Sequence, residues 1–194
     1  MSNLFAKLER EAFRAGITPR TKESRSWFLG QINNMKNISR SSLVKDNSLL
    51  PGETELIGSM NMFFYDPKTK ETLPFYDRFP LVIIVGPAKG GFYGLNLHYL
   101  PMNLRAKLLD GLLDNLTNKK YDETTRFRLN YGMLQRTAKL KFFKPCFKHY
   151  LNEQIKGKIS RVASPEWEIA TFLPTASFKK SGRDNIYKIS RSSI

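Results

Sequence analysis

The chain has 194 residues, with 32 Lys and Arg against 17 Asp and Glu, so it carries a formal net charge of +15 at pH 7. Hydrophobic residues make up 41% and aromatics 12%, which excludes a disordered basic tail and leaves a folded basic domain with an appendage. One cysteine, Cys146, and two histidines exclude an internal disulfide framework and a multi-cysteine zinc site, so no metal or other cofactor is expected.

The first residues interleave charge with apolar side chains and lack the h-region of a secretory signal. No stretch reaches the ~18 apolar residues that span a bilayer, so a soluble protein of a reducing compartment is expected, with no membrane partner. Leu4, Phe5, Leu8, Ala12 and Phe13 recur at helical spacing, with Ser2 as a cap and Gly16 as a stop. Thr18-Pro19 reads as a second N-cap with proline at N1, leading into Trp27, Phe28, Ile32 and Met35. The Ser, Asn, Pro and Gly content of 39–55 predicts a loop or linker, so residues 1–56 are expected to form a helical arm and linker.

Residues 57–100 turn to β character. Met60–Tyr65 and the continuous run Leu81–Val85 predict strands, the second buried on both faces and closed by Gly86-Pro87. Gly90-Gly91 marks a hairpin into Phe92–Tyr99, and Gly94 marks a bulge or barrel corner. The expected fold is α+β: a twisted antiparallel meander or small SH3-like β-barrel with helices packed on it.

Pro101 opens a helix carrying Leu104, Leu108, Leu112 and Leu116, which should lie on the sheet. Arg126–Tyr131 alternates as a strand, with Arg126 and Arg128 outward. Pro145 then begins a helix with Phe147, Tyr150, Leu151 and Ile155 on one side, and Trp167–Phe172 forms a short strand or helical turn. The core domain is expected over 57–175, and 176–194 as a peripheral tail.

The charge excess is local. Residues 119–161 hold 12 basic and 3 acidic groups, whereas 57–118 hold 6 and 5. Arg136, Lys139, Lys141, Lys144, Lys148, Lys156, Lys158 and Arg161 are interleaved with Phe142, Phe143, Phe147 and Tyr150. Lysines that neutralise phosphates release counterions, so this block, with Arg126 and Arg128, is a candidate nucleic-acid footprint. The aromatics at helical spacing read as core. Arg20, Lys22 and Arg25 add a second basic set on the arm.

Catalytic patterns are scarce. Cys146 and His149 stand three residues apart and would meet on a helix, but no oxyanion partner or third group accompanies them. Asp66, Asp77, Asp110, Asp114, Asp122 and Glu123 form no metal-nuclease signature, and Asp66-Pro67 and Asp77-Arg78 read as turns. Gly90-Gly91 lacks the Lys-Ser/Thr of a phosphate loop.

Phe63–Val82, Gly94–Pro101 and Phe143–Tyr150 together resemble small virion-associated proteins of T-even-like tailed phages, of the DNA-end-protector or tail and baseplate assembly type. The resemblance spans about 57–175 and transfers no functional residue. It implies a non-enzymatic protein of the virion, present in host cytoplasm during assembly. Two partners are open: DNA backbone or DNA ends on the basic face, or acidic proteins of a neck, tail or baseplate. A nuclease or toxin on an SH3-like barrel ranks last.

Overall fold

The computed structural model describes residues 4–35, 37–45, 50–51, 57–117, 120, 132–134, 136–137 and 141–192. The strand expected at 126–131 lies outside them.

Helix α1 (Leu4–Arg14) buries Phe5, Leu8 and Ala12. It ends as its glycine predicts. Gly16 takes φ 70°, its N–H donates to Phe13 and that of Ile17 to Ala12, so the last carbonyls are satisfied by a left-handed cap. Phe13 is not on the buried face as expected: it is 85% exposed. Helix α2 (Lys22–Asn33) starts later than Thr18-Pro19 predicts. Its cap is Thr21, whose side chain accepts from Ser24 N–H while the Ser24 hydroxyl accepts from Thr21 N–H, a reciprocal box worth about 1 kcal/mol. The expected linker includes a short helix, α3 (Arg40–Lys45), because Ser39 accepts from Ser42 and Leu43.

The main sheet contains β1 (Leu50–Pro51), β2 (Met60–Tyr65), β4 (Leu81–Ala88), β5 (Gly91–Asn96), β6 (Phe147–Leu151) and β7 (Ile155–Val162). It is antiparallel, in the order β1-β7-β2-β4-β5-β6. A small ribbon pairs β3 (Tyr76–Asp77) with β8 (Phe178–Lys179). The rest is helical: α4 (Met102–Thr117), α5 (Trp167–Phe172) and α6 (Arg183–Ser192).

Two expectations are corrected here. The helix after Pro145 is instead a 3₁₀ turn, Lys141–Cys146, followed by β6 and β7. Spacings of three and four in Phe147, Tyr150, Leu151 and Ile155 suit a helix, but pairing with β5 and β2 is non-local and wins, and Gly157 at φ 83° breaks helical geometry. Gly86-Pro87 does not close β4 either. The strand runs to Ala88 past a bulge between Ile84 and Gly86, and Pro87 lies beyond the residues that pair with β2, on a stretch of edge that tolerates proline.

The topology dictates curvature. In a flat sheet β6 and β7 would be four strand spacings apart, roughly 19 Å. Only Asn152–Gln154 separates them, folded as a 3₁₀ turn that rises about 2 Å per residue. The sheet therefore curls on itself, bringing β6 back toward β7. It is not closed into a barrel: β1 and β6 are the two ends of the strand order.

Curling creates two cores. Met60, Met62, Leu81, Ile83, Val85 and Leu95 face the helices and join Phe5, Leu8, Phe28, Leu108, Leu112, Trp167 and Ile186 in one buried cluster. Phe63, Tyr65, Val82, Ile84, Phe92 and Tyr150 fill the inside of the curl. Both faces of β4 are thus buried, as its unbroken apolar run predicts. Gly94 is needed inside the curl, where a Cβ would lie 2.2 Å from Val82 Cγ1. Helix α4 forms where the leucines predict and packs against α5.

Candidate nucleic-acid interface

Behind the curled strands lies a buried polar network. β3 presents Asp77, and a 3₁₀ turn just after β5, Leu97–Tyr99, presents His98. His98 Nδ1 is 2.6 Å from Asp77 Oδ2, and its Nε2 is 3.3 Å from the Thr175 hydroxyl. Asp77 also accepts from the N–H groups of Phe79 and Ser177 and from the Asn96 amide. Arg105 of α4 donates to the carbonyls of Leu100, Thr171 and His98 and to the Tyr187 hydroxyl, tying α4 to α5 and α6.

Burial alone would raise the Asp77 pKa, but His98 and the other donors outweigh it and hold it below the usual carboxylate range. Burial is also the largest influence on His98, which it holds below 6.5 against the pull of Asp77. A neutral imidazole donating through Nδ1 and accepting through Nε2 satisfies both neighbours. The order acid, imidazole, hydroxyl is that of a hydrolytic triad, yet His98 and Thr175 are sealed from solvent (0% and 1% exposed). The arrangement fastens β3, the β5 end and the segment after α5.

Asp77, Tyr99 and Tyr150 also belong to the wall of a cavity of about 310 Å³. Tyr65, Phe75 and Tyr76 add further rings, and the Pro67–Thr69 turn frames it with Lys68. That turn is the one Asp66-Pro67 predicts, with Lys70 N–H donating to Pro67 and Lys70 Nζ 3.1 Å from Asp66. Asn96 donates to the Tyr150 hydroxyl and Leu151 N–H to that of Tyr65, which sets both rings. Lys148 enters the wall from β6, its Nζ 4.5 Å from the centre of the Tyr99 ring.

The predicted basic residues separate into groups. Lys156 and Lys158 are exposed on β7, with Arg161 half-buried further along it. Lys156 lies opposite Phe64, one register step from the cavity's Tyr65, which pairs with Ile155. Lys144 and Arg136 are exposed. Lys148 is half-buried, not solvated, and burial lowers its pKa. Arg126, Arg128, Lys139 and the Lys141 side chain lie outside what is described. On the helical side, Arg25 pairs with Asp110 of α4, while Arg20 and Lys22 are exposed, with Arg20 N–H donating to Glu168 of α5.

The aromatics read as core are core where described: Tyr150 is buried, and Phe143 and Phe147 pack on the helical cluster. Cys146 and His149 do not form a dyad. Cys146 is buried, its thiol pushed up to about 12, while His149 is exposed on β6 and bonded to the Lys89 carbonyl. Among the described residues no cluster of His, Cys, Asp or Glu is arranged to hold a metal, and no helix is long and apolar enough to cross a membrane.

The fold is that of a basic α+β chain with exposed lysines on a curled sheet beside an aromatic cavity. The chain belongs to the family of phage T4 terminal DNA protecting proteins, whose model it matches over residues 1–191. That description names protection of DNA termini rather than a chemical conversion. No curated protein matches the chain, and no solved structure does.

Proposed function

We propose that this protein binds the ends of virion DNA without catalysis, holding the phosphate backbone through the β6–β7 side of the sheet. The observation that carries the reading is the exposed pair Lys156 and Lys158 on β7, within the segment that holds most of the charge excess, in a chain of this family. Backbone contacts of this kind fix position and read no sequence. The strand order β7-β2-β4-β5-β6, with a 3₁₀ turn joining β6 to β7, supports an SH3-like scaffold beneath them.

The test is affinity for linear duplex DNA against salt. For the wild type log K is expected to fall linearly with log salt, and the double variant Lys156→Gln, Lys158→Gln should flatten the slope by about 2, one for each phosphate no longer neutralised. Salt-independent affinity, or none at low salt, would sink the reading.

One observation favours a second reading, docking on other virion proteins. Phe13 stands exposed beside a groove lined by Ala12, Ile17, Phe28 and Ile169. A large apolar side chain that fills a pocket on its partner is a common anchor in protein interfaces. If that reading holds, the protein stays in stoichiometric amount with tail proteins after nuclease treatment of virions; if DNA holds it, the treatment releases it.

A further inference from the structure

We propose that the aromatic cavity between β2, β3 and β6 takes the terminal nucleotide of a DNA end, its base against Phe75 and Tyr76 and its phosphate on Lys148 and Lys68. This rests on the reading of the protein as a DNA-end binder and names the subsite that would distinguish an end from the rest of a duplex.

Three observations meet there. The cavity, about 310 Å³, is at the small end of ligand sites, so it admits one splayed nucleotide and no intact duplex. Its wall is built from rings: Tyr65, Tyr99 and Tyr150 are packed into the fold, while Phe75 and Tyr76 are only half-buried and offer faces to a base. Its two lysines, Lys68 and Lys148, outnumber its one carboxylate, Asp77. Asp77 is occupied by four donors, and among the described residues no carboxylate lies within ion-pairing distance of Lys148.

Lys148 is the informative group. Burial disfavours its ammonium, and the neighbouring Cys146 thiol, with its pKa pushed up to about 12, supplies no counter-charge. A phosphate oxygen would restore what burial removes. End selectivity follows from stacking. An internal nucleotide leaves two stacked neighbours and its pairing partner to enter such a pocket, whereas a terminal one leaves a single neighbour at a pair that already frays.

The experiment places 2-aminopurine at the terminal or at an internal position of a linear duplex and follows its fluorescence on adding the intact protein. A change at the terminal probe, with the internal probe silent, is expected. In parallel, Lys148→Gln and Phe75→Ala, both checked for unaltered thermal unfolding, should each weaken binding to the linear duplex about ten-fold, the scale of one stacked base. Binding to covalently closed circular DNA should be unchanged in both. A silent terminal probe, or equal losses on linear and circular DNA, overturns the pocket while leaving DNA binding standing. Failure of the wild type to bind either DNA overturns both readings.

Discussion

Replacing Asp77 with alanine is expected to destabilise the fold by about 3–5 kcal/mol, the scale of leaving several donors to one carboxylate without their acceptor, at roughly 1–3 kcal/mol each. Asp77 and His98 are sealed from water, with side chains 1% and 0% exposed. Removing the carboxylate strips the acceptor from His98 Nδ1 and from the Phe79 and Ser177 N–H groups, and leaves the Asn96 amide only its bond to the Tyr150 hydroxyl. Against a typical total of roughly 5–15 kcal/mol, that loss is a large share of the stability of an ordinary domain. Asp77→Asn should cost much less, because its carbonyl keeps the two backbone donors and His98 can change tautomer to accept from the new amide. Urea denaturation followed by fluorescence separates the two, and an alanine variant as stable as the asparagine variant would contradict the account.

The same pair sets an acid limb. His98 is held below its ordinary 6.5, so the unfolded chain takes up a proton first as pH falls. The stability that burial of the neutral ring contributes is complete above 6.5 and declines as pH drops below it. Asp77, held below 3.8, adds a second loss beneath that value by the same sign. His98→Gln should lower stability at neutral pH and flatten the slope in the upper window, and it should also weaken the lower one, because His98 is the first of the groups that hold Asp77 down.

How far this architecture can be read from the chain depends on whether the signal is local. β2, β4 and α4 are legible because their apolar runs and leucine spacing are self-contained, and Gly16 is legible because a left-handed cap calls for glycine. β6 and β7 are not, since Phe147, Tyr150 and Leu151 fit either period until β5 supplies the partner. The helices at the start read as an arm, but Phe5, Leu8, Phe28 and Ile32 share the cluster of the sheet, and Ser24 donates to Glu168 at 2.6 Å across 144 residues. The Asp77, His98 and Thr175 network has no spacing to betray it. Charge counting finds the basic strand, yet lysines are solvated by default, so nothing in the pattern marks Lys148 as half-buried beneath a ring.

Gly91→Ala carries the second large expected effect, because it acts on the joint that holds Lys148 in place. Gly91 pairs with Leu151, and a Cβ there would lie 1.8 Å from the Tyr150 carbonyl oxygen and 3.0 Å from Leu151 Cα. Both are backbone atoms of β6, so no rotamer change relieves the clash and the strand has to move off β5. Overpacking of this kind costs about 3 kcal/mol. The loss should fall unevenly: β6 amides of residues 147–151 should exchange faster with solvent, while those of β2 and β4 stay protected. Since β6 carries Lys148 and Tyr150, the proposed nucleotide pocket predicts that any selectivity for DNA ends falls with it. Gly30→Ala provides the contrast. That glycine is within α2 with nothing inside 4 Å of the added carbon, so the change should stabilise by about 0.5–1 kcal/mol. If Gly91→Ala matched the wild type in stability and in β6 exchange, the tight β5–β6 approach would not be what fixes the cavity wall, and Lys148 would need another anchor.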